Sequence, residues 1–463
     1  MIVSSINLNT YEGRTAMDPD FDFITNILNV SSTDVEKLNV RTDADTTFYE
    51  VTLVRKPMIC LYCRGSMIGY GHKRTINHPV LTESKGRIIF NANRYRCKVC
   101  GKTIIEDNPF TYEGFNSSYI LLRSAMQKLA NLDYTLLMIS EELNVSRTQV
   151  CKYLDSFVTI PKRPLPESLG IDELHSPALA KGRYSYICIL VDNENACLYD
   201  VLDSRGKFDL AKHFSAIPRE ERLNVKYVTI DMWEPYRDLA NVYFPNCIIA
   251  VDPFHVIKHL YSGFDRLRLD LMKQCEYGSN AYYLLKKWHW LLVKNNVDFD
   301  NPKEYNHRFG TKLNRRDIFN MIMDTFPTLH HAYWLKEQFR KFNQTASFED
   351  ACEIYDQYVD AFKDSGISQF DEFTKILVTW KTEILNSFKR PAEGRRLSNA
   401  ATENINGKLR AYLTISRGIG NFERFRKRVL FALNPTIFYA LTSNLKSAAR
   451  KGRKRGPYNK PKD

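Results

Sequence analysis

Between residues 170 and 251 the apolar positions change period several times. Tyr186 to Val191 and Cys197 to Leu202 are short runs rich in β-branched and aromatic residues, split by the turn formers Asp192-Asn193-Glu194-Asn195, and they predict a hairpin. Helical spacing from about Asp209 to Glu221 leads into a Val225 to Ile230 strand, then a helix from Pro235 to Tyr243 and a strand from Cys247 to Val251. With the Gly170-Ile171-Asp172-Glu173-Leu174 segment in front, the order is strand, strand, strand, helix, strand, helix, strand. From about Val256 to about Pro391 Gly and Pro are sparse. Apolar residues there recur at helical spacing, as in Tyr282, Leu285, Trp288 and Leu292, which predicts an all-helical insertion. Its tryptophans, Trp288 and Trp290, are expected to fill a core, with stacking on unpaired bases as the other reading. Upstream, Thr135 to Leu143 is an amphipathic helix, Asn144-Val145-Ser146 a short turn, and Arg147 to Leu154 the start of a second helix capped by Ser146.

Composition narrows the partner. A chain of 463 residues suggests about three domains. Its 66 Lys and Arg against 53 Asp and Glu give a net charge of +13 and a pI near 9.1, which favours a polyanion such as nucleic acid. No apolar run approaches ~18 residues, and Met1 to Thr10 lacks a basic stretch followed by an apolar one, so neither a membrane partner nor secretion is expected. The expected location is cytoplasmic.

Cysteine spacing marks a metal site. Cys60-Leu61-Tyr62-Cys63 and Cys97-Lys98-Val99-Cys100 are two C-x-x-C knuckles, each followed closely by a glycine, Gly65 or Gly101. Four thiolates close a tetrahedral structural Zn²⁺ site, and Arg87-Ile88-Ile89-Phe90 between them reads as a ribbon strand. Cys151, Cys188, Cys197, Cys247, Cys275 and Cys352 have no ligand spacing and are expected in cores.

The two helices after this ribbon read as a helix-turn-helix. The second would enter the major groove of double-stranded DNA with Arg147, Thr148, Gln149 and Lys152 facing base edges or phosphates. Beyond Asn444, Lys446, Arg450, Lys451, Arg453, Lys454 and Arg455 form a basic tail expected to order only on DNA.

Three acidic residues carry the chemistry. Asp172 lies in the first strand, Asp231 follows the Tyr227-Val228-Thr229-Ile230 run, and Glu403 lies in the helical stretch Ala401-Thr402-Glu403-Asn404. Carboxylates at strand ends and on a facing helix can converge on hard cations. Asp252, in Asp252-Pro253-Phe254-His255, competes for the second place. Its other reading is a helix N-cap, with Pro253 at the first helical position, or a supporting position behind the ligands. His255 and His259 share a helix face, but Val256 stands where a zinc protease needs Glu, so the pair reads as packing or DNA contact.

The element order and acids resemble a ribonuclease-H-like fold, in which the first two acids belong to the first and fourth strands and the third to a later helix. More narrowly, the chain resembles DDE-type bacterial insertion-sequence transposases of the group named insertion sequence L-three. The residues that carry this are Asp231-Met232-Trp233-Glu234-Pro235-Tyr236-Arg237, Phe244-Pro245-Asn246, Asp252-Pro253-Phe254-His255-Val256, and Glu403-Asn404-Ile405-Asn406-Gly407-Lys408-Leu409 with Gly418 and Arg424 to Arg428 beyond. Asn404 departs from the family, which often has Gly there, and removes no carboxylate.

The resemblance implies a multidomain α/β protein. Its parts would be an N-terminal segment (1–50), a zinc ribbon (51–110), a helix-turn-helix (111–160), a ribonuclease-H-like core in two parts (166–258 and 396–443) around a helical insertion (259–395), and the tail (444–463). It implies a transposase that binds terminal inverted repeats, cuts, and joins strands to target DNA, acting as a homodimer or larger assembly near the bacterial nucleoid. Asp172, Asp231 and Glu403 would hold two Mg²⁺ or Mn²⁺ ions, with Asp252, His255 and Lys408 as supporting or phosphate contacts. A ribonuclease-H-like nuclease without strand transfer, or a DNA-binding regulator, are the rival readings.

Overall fold

The computed structural model describes residues 24–26, 28–77, 85–112, 115–181, 185–391, 395–416 and 419–440. The chain divides into two compact units, Met1–Lys162 with Lys408–Asp463, and Arg163–Gly407. The basic tail and Gly418 lie outside the described residues.

The first unit is built on a sheet of β1 (Val35–Asp43), β2 (Thr46–Leu53), β3 (Met67–Asn77), β4 (Lys85–Cys97) and β5 (Thr103–Ile105). The order is β1-β2-β4-β3, with β5 against β4. The β2–β4 pair is parallel and the other pairs are antiparallel. Strand β4 holds the expected Arg87–Phe90 run. A boundary at residue 50 cuts through β2, because Val35, Leu38 and Val51 share one core with Ile88, Phe90 and Phe110. Residues 51–110 alone would leave that apolar face in water.

Three helices follow, α1 (Tyr119–Leu129), α2 (Leu136–Glu142) and α3 (Arg147–Phe157). Ser118, Thr135 and Ser146 each accept a backbone N–H three residues on, so every N-terminus is capped by its own hydroxyl. The α2–α3 connection turns through Asn144 at φ 52°. Leu121, Met126, Ile139, Val150 and Leu154 are buried.

The second unit holds the other large sheet: β6 (Ser168–His175), β7 (Tyr186–Asp192), β8 (Cys197–Leu202), β9 (Tyr227–Ile230) and β10 (Ile248–Val251), in the order β10-β9-β6-β7-β8. Strands β6, β9 and β10 are mutually parallel, while β7 and β8 run antiparallel as the predicted hairpin. Strand β7 carries a continuous apolar stretch, Tyr186 to Val191, because both of its faces are covered. Helix α4 (Lys207–Ser215) and a single turn at Arg219–Arg222, separated by Pro218, lead to β9, and α5 (Glu234–Tyr243) leads to β10.

The insertion begins with α6 (Pro253–Gln274) and continues through α7 (Asn280–Lys287), α8 (Arg315–Thr325), α9 (Pro327–Thr345), α10 (Phe348–Asp364), α11 (Asp371–Thr379) and α12 (Lys381–Asn386). Phe339, Phe342, Phe362 and Phe373 form its aromatic centre. It is not wholly helical. A two-stranded ribbon, β11 (Glu304–Asn306) with β12 (Thr311–Leu313), closes around Gly310 at φ 64°, a backbone state that stops a helix.

Two helices end the described chain, α13 (Ala400–Ser416) and α14 (Phe422–Leu433). Helix α14, expected with the catalytic part, belongs to the first unit. Arg424 pairs with Asp155 at 2.7 Å. The buried Arg428 donates Nη2–H to the carbonyls of Asn131 (2.8 Å) and Tyr134 (3.0 Å). Among the described residues no helix is long and apolar enough to cross a membrane.

Candidate active site

Strand register explains why distant acids meet. Gly170 pairs with Thr229 across the β6–β9 parallel ladder, and Val251 with Ile230 across β10–β9. Continued along each strand, this register brings Asp172, Asp231 and Asp252 level on three neighbouring strands, which lie about 4.8 Å apart. Two of these strands end there, so their acids leave the ladder at the carboxyl edge, where open α/β sheets place their ligand crevices.

Helix α13 presses onto that edge. A Cβ on Gly170 would lie 2.4 Å from Thr402 Oγ1 and 2.9 Å from Asn193 Oδ1, so only glycine admits the helix at this depth. Thr402 donates to Asn193 Oδ1 (3.3 Å), and Asn193 Nδ2 donates to Thr229 Oγ1 (2.7 Å). One turn later Asn406 Nδ2 donates to Asp172 Oδ2 (2.7 Å), and before the helix the Asn399 N–H donates to Asp252 Oδ1 (3.3 Å). Asn399, Thr402 and Asn406 are all fully buried, while Glu403, between them, stays half-exposed. The helix and the residue leading into it therefore position two of the three strand acids, and the helix adds the carboxylate of Glu403.

Electrostatics mark Asp231 as the strained member. Burial, then the charges of Asp172 and Glu173, push its carboxyl up to about 7. Its Oδ1 is buried with no hydrogen-bond partner, as are both side-chain polar atoms of Asn399 and Oδ1 of Asn406. Asp252 stands at the N-cap position of α6 but makes no capping bond. Its Oδ2 instead faces His255 Nδ1 at 3.2 Å. That carboxylate holds the imidazole above its usual range, with Asp231 and Asp172 adding smaller contributions in the same direction. Asp252, His255 and Glu403 bring ligand atoms within 4.8 Å of one another. The structure thus gathers Asp252 and His255 with Glu403, and sets Asp172 and Asp231 within electrostatic reach. His259 faces Glu372 at 4.0 Å. Lys408 is exposed on α13.

Sequence reading missed Asn399 and Asn406 as partners of the acids, and Asn193 as the link between Thr402 and Thr229. The available signal was a polar row, Asn399, Thr402 and Asn406, at helical spacing beside Glu403.

In the first unit, Cys60, Cys63, Cys97 and Cys100 bring all four Sγ atoms within 4.8 Å of one another. Cys60 lies 3.6 Å from Cys100 and Cys63 lies 3.4 Å from Cys97. A zinc ion with Zn–S bonds of about 2.3 Å has tetrahedral edges of about 3.8 Å, so the four atoms fit that ion. The turns supply the geometry, with Arg64 at φ 57° and Gly101 at φ 70°. The Cys100 and Val99 N–H groups point at Cys97 Sγ (3.5 and 3.3 Å) and draw its thiol down to about 6. Of the other cysteines, Cys188 and Cys197 are buried but Cys352 is exposed, contrary to the core expectation.

On α3, Arg147, Thr148 and Lys152 are exposed and Gln149 is half-buried. Lys152 lies 4.6 Å above the Phe115 ring.

The sequence profile of the ISL3-group DDE transposases matches residues 169–429, which is more than half of the chain. The chain belongs to this transposase family. The chain is also similar to the transposase for insertion sequence element IS1001 of Bordetella parapertussis, 22% identical over 381 residues that cover 80% of this chain and 87% of that protein. The transposase profile spans all three acids, Asp252, His255 and the whole insertion.

Proposed function

We propose that the transposase cuts and joins double-stranded DNA in a ribonuclease-H-like site where Asp172, Asp231 and Glu403 hold two divalent cations, Mg²⁺ or Mn²⁺. One observation carries this reading. Asp231 is buried beside Asp172 with an unpartnered oxygen and a carboxyl raised to about 7, a set of anions that a hard cation relieves. When bound, the cations would polarise the scissile phosphate and activate first water at the element's end and then the freed 3′-hydroxyl. Asn406 and the Glu173 N–H each donate to one oxygen of Asp172 (both 2.7 Å). These two bonds fix the plane of the carboxylate. Asp252 orients His255 at the mouth of the site, where a protonated imidazole can face a phosphate oxygen. Lys408, little more than a turn beyond Glu403, supplies a second phosphate contact.

The four-cysteine module holds structural Zn²⁺. Helices α2 and α3 form a helix-turn-helix that reads terminal repeats through Arg147, Thr148, Gln149 and Lys152. Two ends must be held together for joining, so the working form is a dimer or larger assembly, acting at the bacterial nucleoid. Single-turnover cleavage of a terminal-repeat duplex in Mg²⁺ tests the acids. Asp172→Asn, Asp231→Asn and Glu403→Gln each lose on the order of 10³-fold or more of the rate with DNA binding retained, while Asp252→Asn is milder. Robust cutting by Asp231→Asn beside a dead Asp252→Asn moves the second ligand to β10. Cleavage without joined products selects the nuclease reading.

A further inference from the structure

The first turns of α6 belong to two neighbouring features. His255 faces the acids, while Phe254, Lys258 and Tyr261 line a cleft of about 860 Å³ whose other wall includes His289, Arg340 and Asn343. That volume falls within the range of about 300–1,000 Å³ typical of small-ligand pockets. Asn343 also ties the cleft to the site. Its Oδ1 accepts from Arg396 (3.1 Å), whose guanidinium lies within electrostatic reach of Asp252.

The lining combines rings with cations. Phe254 is 57% exposed, a large aromatic left in solvent one residue from the acid cluster. The Tyr261 ring is backed by the fully buried Lys336, whose Nζ lies 4.7 Å from its centroid. The cleft's lining cations are Lys258 and Arg340, the latter paired with Glu337 at 2.6 Å, against a single lining acid, Asp265. Trp288 and Trp290, the rings that sequence reading offered for base stacking, pack instead against the main core.

We propose that this cleft receives one unpaired nucleotide of the DNA substrate beside the scissile phosphate, with its base against Phe254 and Tyr261 and its phosphate near Lys258. The proposal rests on the reading of the adjacent acids as the cutting site. A paired base keeps its faces stacked within the duplex, so only an unpaired or extruded base presents a ring to these walls.

The test uses the full-length protein and two fluorescent probes, a blunt duplex and the same duplex with a short unpaired 3′ extension carrying 2-aminopurine. The wild-type protein binds the extended probe more tightly and quenches the 2-aminopurine. Phe254→Ala loses roughly tenfold or more of that preference with blunt-duplex binding unchanged, Phe254→Trp restores it, and Lys258→Ala reduces it. Equal binding of both probes by wild type and Phe254→Ala overturns the cleft assignment and leaves the cutting site standing. A fall in molecular mass in solution for Phe254→Ala also overturns it, because the cleft is then an interface between copies. Failure of the wild type to bind either probe overturns the DNA reading on which the cleft depends.

Discussion

The four thiols and the buried carboxylates are both clusters of groups that can ligate a cation, and they are built in opposite ways. Each C-x-x-C knuckle is a tight turn of four residues, so each pair of Cys60, Cys63, Cys97 and Cys100 is made locally, and one ladder between β3 and β4 unites them. The acids come from strands 59 and 80 residues after Asp172 and from a helix 231 residues after it, and only the completed sheet brings them level. Backbone N–H groups draw the Cys97 thiol toward its ionised form, whereas Asp231 is buried and crowded by the like charges of Asp172 and Glu173. A locally made site can supply folding energy to its surroundings. A globally made one draws on the stability of its fold to hold repelling groups together.

The largest expected difference lies in what removal does. Cys97→Ser takes away a ligand and with it much of the about 10–16 kcal/mol that structural zinc can contribute. The sheet of the first unit should become protease-sensitive and zinc should vanish from elemental analysis. Wild-type protein purified without zinc would break the comparison at its first term.

Next is the pH response of the metal-free carboxylate site. Asp231 titrates near 7 in the fold against 3.8 when unperturbed. The folded state therefore keeps a proton that the unfolded chain has already lost. This group's contribution is fully present below 3.8, falls as pH rises, and is gone above 7, a loss of at most about 4 kcal/mol. Urea titrations from pH 4 to 8 should show the fall, and Asp231→Asn should flatten it. Saturating Mg²⁺ at pH 8 should restore stability by mass action. A wild-type profile that rises over this window would count against a proton on Asp231.

Gly170→Ala sharpens the comparison without touching charge. Its Cβ drives Thr402 and Asn193 apart, at a cost of about 1–3 kcal/mol, and cleavage should fall because Glu403 moves with α13. Thermal melts and single-turnover rates report the two effects. Asn406→Ala is the smallest change in stability, about 1 kcal/mol for one buried hydrogen bond. It should still lower cleavage about 10- to 100-fold by freeing Asp172 to rotate. Unaltered rates would mean that the β6 backbone alone orients this acid.

The same contrast governs what could be read without a structure. The knuckles were legible because ligand spacing is itself the geometry. The positions of Asp172 within β6 and of Asp231 just after β9 were legible because apolar runs mark the strands. Of the two readings of Asp252, the N-cap is not made: its side chain caps no backbone N–H of α6, and pairs instead with the His255 ring and with the Asn399 N–H, 147 residues away. Helix α14 was assigned to the catalytic part because it follows Glu403 closely. Its buried Arg428 answers carbonyls near residue 131, a partnership that no local pattern reveals. Strands β1 and β2 were set apart from the ribbon for the same reason, as their shared core is a tertiary fact.

The position of α13 near the end of the chain has a consequence for synthesis. A polypeptide that terminates before residue 400, through a frameshift or a premature stop, has the thiol knuckles and the α2–α3 pair but lacks Glu403 and the Asn406 that steadies Asp172. Such a fragment carries two of the three carboxylates and cannot complete the site, whatever it binds. On the roles proposed for these residues, incomplete translation of this gene yields no partially active cutter, and cutting begins only once the ribosome has passed Glu403.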